Sequence, residues 1–235
     1  MTGIFLYIKY MEFTFGVCVT ENNLHLHDQI IDSIESLNIP KDNYEIIFIG
    51  DKKCQNNRVT FIDFNENIVS GWITKKKNFL VDHAKFENIV LMHDYIVFDS
   101  TWYSEFEKFG NDFEVCMNSV IEPNGKRSAD WLVLHEDFRI LGHELLLPYE
   151  WTHCTKIQYI NGIYWVAKTQ FMQNNPLNEF LAWAQGEDVE WSRRVREKID
   201  FKINNNSVVR LLKNKGYNFI ELSDQSKEVL RSYGY

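Results

Sequence analysis

The chain has 235 residues, 45% hydrophobic, 15% aromatic and 25% charged, which suits one large α/β domain and excludes a disordered or fibrous protein. Thirty-three acids against 25 bases leave a net charge of −8, so the broad basic surface of a general nucleic-acid binder is missing and no nucleic-acid partner is expected. The charge is uneven, because residues 190–235 carry 10 bases against 6 acids, an excess of +4 able to meet an anion.

The opening MTGIFLYIKYMEF holds an apolar run too short for a bilayer and lacks a small-residue cleavage site. It reads as neither signal peptide nor transmembrane segment, and Met11 is an alternative start. Cys18, Cys54, Cys116 and Cys154 lie far apart without CxxC spacing, which fits a reducing, cytoplasmic setting better than a zinc knuckle or disulfide framework.

Buried strands are expected at 13–19, 44–49, 59–62 and 88–98, each β-branched, aromatic or continuously apolar. Ile30, Ile31, Ile34 and Leu37 recur at helical spacing between the first two, and Pro40 closes that segment. A second helix is read over 78–87, so the first hundred residues spell βα units around a parallel sheet. Beyond residue 100 the alternation stops. A helix over 102–109, a strand over 115–121 and a turn-rich loop over 122–131 precede IQYINGIYWVAK, read as a hairpin about Asn161-Gly162. Helices are expected over 176–183, 189–198 and 208–215, and the SYGY tail reads as frayed.

Four places carry residues suited to chemistry. Thr20, Glu21 and Asn22 follow the first strand, where an open α/β sheet binds ligands, although ENN is also ordinary turn chemistry. Asp51 ends the second strand and reads either as a contact to a base or ribose or as part of the turn. No glycine-rich phosphate loop follows either strand. His93 and Asp94 interrupt the apolar run IVLMHDYIVF, and a buried carboxylate there needs a pair, hydrogen bonds or a cation. Oxygen ligands suit Mg²⁺ or Mn²⁺, with His93 biasing toward Mn²⁺, and a strand end held by a local hydrogen bond is the alternative. Glu187 and Asp188 open a helix that continues into Arg193, Arg194 and Arg196, as caps or as a general base held at a rigid helix end.

His25-Leu26-His27-Asp28 reads as a helix start, since its acid is misplaced for a metallohydrolase run. Lys75-Lys76-Lys77 reads as a solvated face ahead of a phosphate clamp. His83, His135, His143 and His153 are isolated in sequence.

Taken in order, these features resemble the nucleotide-sugar glycosyltransferases of the GT-A fold, particularly the family-two-like enzymes, over Phe13 to Lys215. FTFGVCVTENN is similar to their opening strand with its base-contacting cluster. EIIFIGD is similar to the strand ending in a nucleotide-contacting acid, and Lys77-Asn78 to the basic residue and Asn ahead of the metal motif. VLMHDYIVFD resembles the strand of the DxD motif, with one acid where the pattern has two. INGIYWVAKTQFM through GEDVEWSRRV resembles the late acceptor region ending in an ED motif, whose Asp is the base of inverting enzymes.

The resemblance implies an α/β fold of GT-A type, a single Rossmann-like mixed sheet flanked by helices. It implies one domain over 1–235, with a nucleotide-binding half over about 13–100 and an acceptor-binding half over about 101–215. It also implies sugar transfer from a nucleotide-diphosphate sugar to a glycan or other hydroxyl acceptor. Thr20, Glu21, Asn22, Asp51, Lys77 and Asn78 would hold the nucleotide, Asp94 and His93 a Mn²⁺ or Mg²⁺ ion, and Asp188 with Glu187 the catalytic centre. Trp131, Trp165 and Trp183 are candidate walls for a sugar or core packing, and Arg127 and Asp130 are candidate acceptor contacts. The rivals are a non-catalytic nucleotide-sugar or carbohydrate binding module on the same fold, and a metal-dependent phosphohydrolase at His93-Asp94 that lacks further His and Asp ligands.

Overall fold

The structure, a computed structural model, describes residues 10–51, 56–133, 145–153, 156–216, 219–221 and 223–232. Cys54, Cys154, His135, His143 and the SYGY tail beyond Ser232 lie outside the described residues, as do residues 1–9 of the opening run.

Strand β1 (Phe13–Cys18) is buried along its whole length and leads through a 3-10 turn (Glu21–Leu26) into α1 (His27–Glu35). There follow β2 (Tyr44–Gly50), β3 (Thr60–Asp63), α2 (Ile73–His83), β4 (Asn88–His93), β5 (Ile96–Phe98), α3 (Trp102–Phe109) and β6 (Val115–Ile121). The rest comprises β7 (Leu132–Val133), β8 (Leu145–Leu146), β9 (Gln158–Tyr159), β10 (Tyr164–Lys168), α4 (Thr169–Asn174), α5 (Glu187–Val195), β11 (Lys202–Leu211), β12 (Ile220–Glu221) and α6 (Asp224–Ser232). An eight-stranded mixed sheet runs β3-β2-β1-β4-β10-β6-β11-β5, and a small four-stranded sheet runs β12-β8-β7-β9. The large sheet flanked by helices is the α/β architecture expected, and the small sheet is an addition to it.

Strands β3, β2, β1 and β4 are parallel, so their carboxyl ends lie along one edge. Phe13, Phe15 and Val17 project alternately to one face, where Ile30, Ile31 and Ile34 of α1 and Trp102 and Phe106 of α3 cover them. Each such apolar side chain contributes about 1.5–3 kcal/mol by leaving water. The opposite face is sealed by Leu80 and Val81 of α2 and by Trp191 and Val195 of α5. Helices on both sides explain why β1 is buried along both faces.

Four expected elements are corrected. The run 88–98 splits at Asp94-Tyr95 into β4, beside β1 and β10, and β5, beside β11. Asn161-Gly162 is not the turn of a hairpin, because β9 joins the small sheet while β10 pairs with β4 and β6. Residues 176–183 are not helical: Leu177 N–H donates to Asn78 (2.9 Å), and the carbonyls of Leu177, Glu179 and Leu181 accept from Asn78, Trp72 and Thr74 (3.0, 2.7 and 2.7 Å). With those groups spent on Trp72 and α2, no helix forms within the segment. Residues 208–211 complete β11 between β6 and β5, since Val208 and Val209 are β-branched and a sheet position is open to them. The helix expected over 78–87 is α2, begun and ended earlier.

No helix among the described residues is long and apolar enough to cross a membrane.

Candidate active site

The parallel register sets Cys18 opposite His93, so the chain leaving β1 and the chain leaving β4 emerge side by side. Between them Asp94, 1% exposed, accepts from Thr20 N–H (2.5 Å) and Thr20 Oγ1–H (3.0 Å) on Oδ2, and from Asn23 Nδ2–H (2.6 Å) on Oδ1. His27 Nε2 lies 4.0 Å away. Burial alone would raise this carboxyl, but His27, Asn23 and Thr20 outweigh it and hold Asp94 below the ordinary carboxylate range. The need for partners seen in the sequence is thus met by protein donors 71 and 74 residues away.

Around this knot opens a cleft of ≈ 520 Å³ lined by Thr20, Asn22, Glu66, Lys76, Trp183 and Lys215, among others. Lys76 is buried against Glu66, and Lys77 is buried with Nζ donating to Gly162 O (2.6 Å) and lying 4.4 Å from the Trp165 ring centre. Of the expected solvated lysine face only Lys75 is even half-exposed, because α2 turns its other two lysines into the protein.

A second lobe of ≈ 250 Å³ adjoins the first, sharing His93, Tyr95, Trp183 and Lys215 with it and adding Tyr159, Asn161, Gly162, Glu187 and Asp188. Gly186, in the left-handed region at φ 73°, turns the chain into α5 and places both acids in its first turn. Asp188 Oδ2 accepts from Gly162 N–H (2.8 Å) and Oδ1 from Val189 N–H (2.8 Å), leaving the carboxylate half-exposed in the lobe. Gly162 is thus gripped by Asp188 through its N–H and by Lys77 through its carbonyl. A Cβ there would stand 3.2 Å from Asp188 Oδ2. Burial, and then the nearby Asp188 charge, raise the Glu187 carboxyl against the pull of Lys77. Burial likewise lowers Lys77 and His93, the latter well below its usual range and further depressed by the Lys77 charge.

The structure therefore gathers Thr20, Asn22, His93, Asp94, Glu187 and Asp188 about one cleft. Glu21 and Asp51 are exposed and line neither lobe. Asn78 holds the backbone of 177, and Lys77 supports Gly162 from below, so both act on the cleft through other residues. Trp165, 1% exposed, stacks on Trp191, and Trp131 donates to Trp151 O (3.0 Å); both are core side chains rather than walls. Asp130 is buried, paired with Arg127 (2.8 Å) and Tyr149 (2.7 Å), outside both lobes. Trp183, 62% exposed, is the tryptophan that faces the cleft. Glu66, Tyr95, Lys213 and Lys215 were not foreseen; the basic excess beyond residue 190 was the signal for the two lysines.

A divalent cation held by the chain needs several hard donors. Among the described residues no three His, Cys, Asp or Glu side chains converge, and both oxygens of Asp94 already face protein donors. Among the described residues the side chains alone therefore build no cation cage, and a cation brought in with a phosphate would compete with Thr20 and Asn23 for Asp94.

No family model matches the chain, and no curated protein sequence does. Among solved structures it is similar to the GT-A glycosyltransferase TarS of S. aureus, residues 1–349, at a TM-score of 0.56 and 14% identity over 94% of this chain and 64% of that one. The TarS complex with UDP-GlcNAc matches at 0.55 and 13% over 94% and 65%, and the complex with UDP at 0.53 and 14% over 94% and 64%. The chain thus spans slightly under two thirds of the length of those structures, and its fold is the GT-A fold.

Proposed function

We propose that this GT-A chain is a glycosyltransferase that takes a nucleotide-diphosphate sugar as donor and a hydroxyl compound, such as a glycan, as acceptor. The observation that carries the reading is the two-lobed cleft at the carboxyl ends of β1 and β4, knotted by Asp94 on one side and edged by Asp188 on the other. The nucleotide occupies the Thr20, Asn22 and Glu66 lobe and the sugar points into the Asp188 lobe. The UDP and UDP-GlcNAc complexes of TarS support a UDP-linked donor.

Asp188 acts as general base. Its carboxylate takes the acceptor proton as the hydroxyl oxygen bonds to the anomeric carbon, and the bond from that carbon to the diphosphate breaks with its electron pair left on phosphate oxygen. Attack from the face opposite the leaving group inverts the anomeric centre. Glu187, with its carboxyl raised by burial, borders the same lobe. The exposed Trp183 offers a flat apolar face on which a sugar ring packs. Release of UDP from UDP-GlcNAc and other UDP sugars, with and without a panel of glycan acceptors, tests the reading; donor binding without turnover in any combination would sink transfer.

That outcome is what the second reading, a non-catalytic nucleotide-sugar binding module, requires. A specific observation favours it: one acid, itself locked into hydrogen bonds, stands where the resembling enzymes carry two.

A further inference from the structure

We propose that Lys213 and Lys215 form a diphosphate clamp that supplies the positive charge of this cleft, so that nucleotide-diphosphate binding proceeds without a divalent cation. The inference rests on the glycosyl-transfer reading for the identity of the ligand, and on the geometry for the site.

The two lysines stand two residues apart just beyond β11, and Leu212 N–H, donating to Tyr95 O (2.8 Å), ties their segment to the residue after Asp94. Lys213 Nζ lies 4.3 Å and Lys215 Nζ 4.5 Å from the centre of the same Tyr95 ring. Two ammonium groups on one ring repel each other, and among the described residues neither has a carboxylate within ion-pair distance. Among the described residues Lys213 donates to the neutral Asn23 Oδ1 (3.2 Å). The other lysines of the region are spent elsewhere: Lys75 on Glu179, Lys76 on Glu66 and Lys77 on the Gly162 carbonyl. A cation pair without an ion-pair partner among the described residues is therefore held in the nucleotide lobe of a chain whose net charge is −8.

Position decides what the pair is for. Lys215 borders both lobes, at the junction where a diphosphate must lie if the nucleoside fills one lobe and the sugar the other. Burial, followed by the Lys213 charge, depresses the Lys215 ammonium while Asp94 opposes the shift, as expected of a partly desolvated cation beside another cation. A diphosphate between the two ammonium groups would make charge-assisted hydrogen bonds to both. During transfer the same groups would face the charge that grows on the leaving phosphate oxygen. Asp94, its oxygens turned to Thr20 and Asn23, shapes the lobe instead of holding a metal.

Calorimetric titration of the full chain with UDP, GDP, ADP and inorganic pyrophosphate, in EDTA and in Mn²⁺, tests the clamp. Binding of at least one nucleoside diphosphate in EDTA, within about threefold of that in Mn²⁺, is expected. Lys213→Ala and Lys215→Ala should each weaken it about tenfold while leaving the thermal transition in place, and Lys215→Arg should largely restore it. Binding that requires Mn²⁺ and ignores both Ala substitutions would overturn the clamp and leave glycosyl transfer standing. Lysine-dependent binding of pyrophosphate without any nucleoside diphosphate would leave the clamp and remove the nucleotide reading. No binding by any probe in either condition removes both.

Discussion

Asp94 and Asp188 line adjoining lobes of one cleft and each accepts a backbone N–H from a distant segment, yet their surroundings differ. Asp94 is buried at the end of β4 and spends both oxygens on the segment after β1, joining stretches more than 70 residues apart. Asp188 sits in the first turn of α5, half-exposed, and is oriented by Gly162 and Val189 with room left for an incoming hydroxyl. A carboxylate enclosed by donors organises its neighbours, whereas one open to a lobe and steadied from behind is available to take a proton.

Substitutions break that contrast, the largest effect first. Asp188→Asn keeps an acceptor for Gly162 N–H but removes the proposed base, so transfer should fall about 10²- to 10⁴-fold with the thermal transition nearly unmoved. A folded variant with full activity would remove Asp188 from the mechanism. Asp94→Ala should act oppositely, leaving Thr20 N–H and Asn23 Nδ2 without their partner at a cost of about 1–3 kcal/mol each, read as a lowered denaturant midpoint. Because the folded-state Asp94 pKa is depressed, its contribution is complete above the ordinary value of 3.8 and is lost as pH falls through the lower folded value. Asp94→Asn should flatten that part of an acid-unfolding curve, and an unchanged curve would show that the carboxylate is not held as described.

Smaller changes sharpen the Asp188 side. Gly162→Ala puts a methyl group 3.2 Å from Asp188 Oδ2 and 3.5 Å from Lys77 Nζ, so kcat should drop about tenfold or more through displacement of the base. A change confined to KM would place the effect on binding instead. Trp183→Ala, at an exposed side chain, should alter stability by no more than about 0.5 kcal/mol while raising the acceptor KM. An unchanged KM across acceptors would deny Trp183 a part in binding.

Much of the first hundred residues was legible because it is built from contiguous patterns. The apolar runs at 13–19 and 44–49 marked strands, the spacing of Ile30, Ile31 and Ile34 marked α1, and an acid inside IVLMHDYIVF demanded partners. Contacts between distant segments were harder to read. Residues 176–183 carry a helical pattern, but the side chains of Trp72 and of Thr74 and Asn78 in α2 take up backbone groups on which a helix would depend. Lys77 looked like surface from its charged neighbours, and only the packing of α2 under Gly162 buries it.

The sequence by itself determined the α/β class, the early strand and helix order, and the residues at which a carboxylate had to be accounted for, since periodicity and the cost of a buried charge are local properties. Tertiary structure decided which donors met those carboxylates. Thr20 and Asn23 reach Asp94 because β1 and β4 are neighbours in register, and Gly162 reaches Asp188 because the chain before β10 passes the start of α5. Lys213 and Lys215 arrive beside Tyr95 because β11 runs between β6 and β5. Strand order is settled by long-range packing across the whole sheet, and it turned a diffuse C-terminal excess of positive charge into two ammonium groups at one point of the cleft.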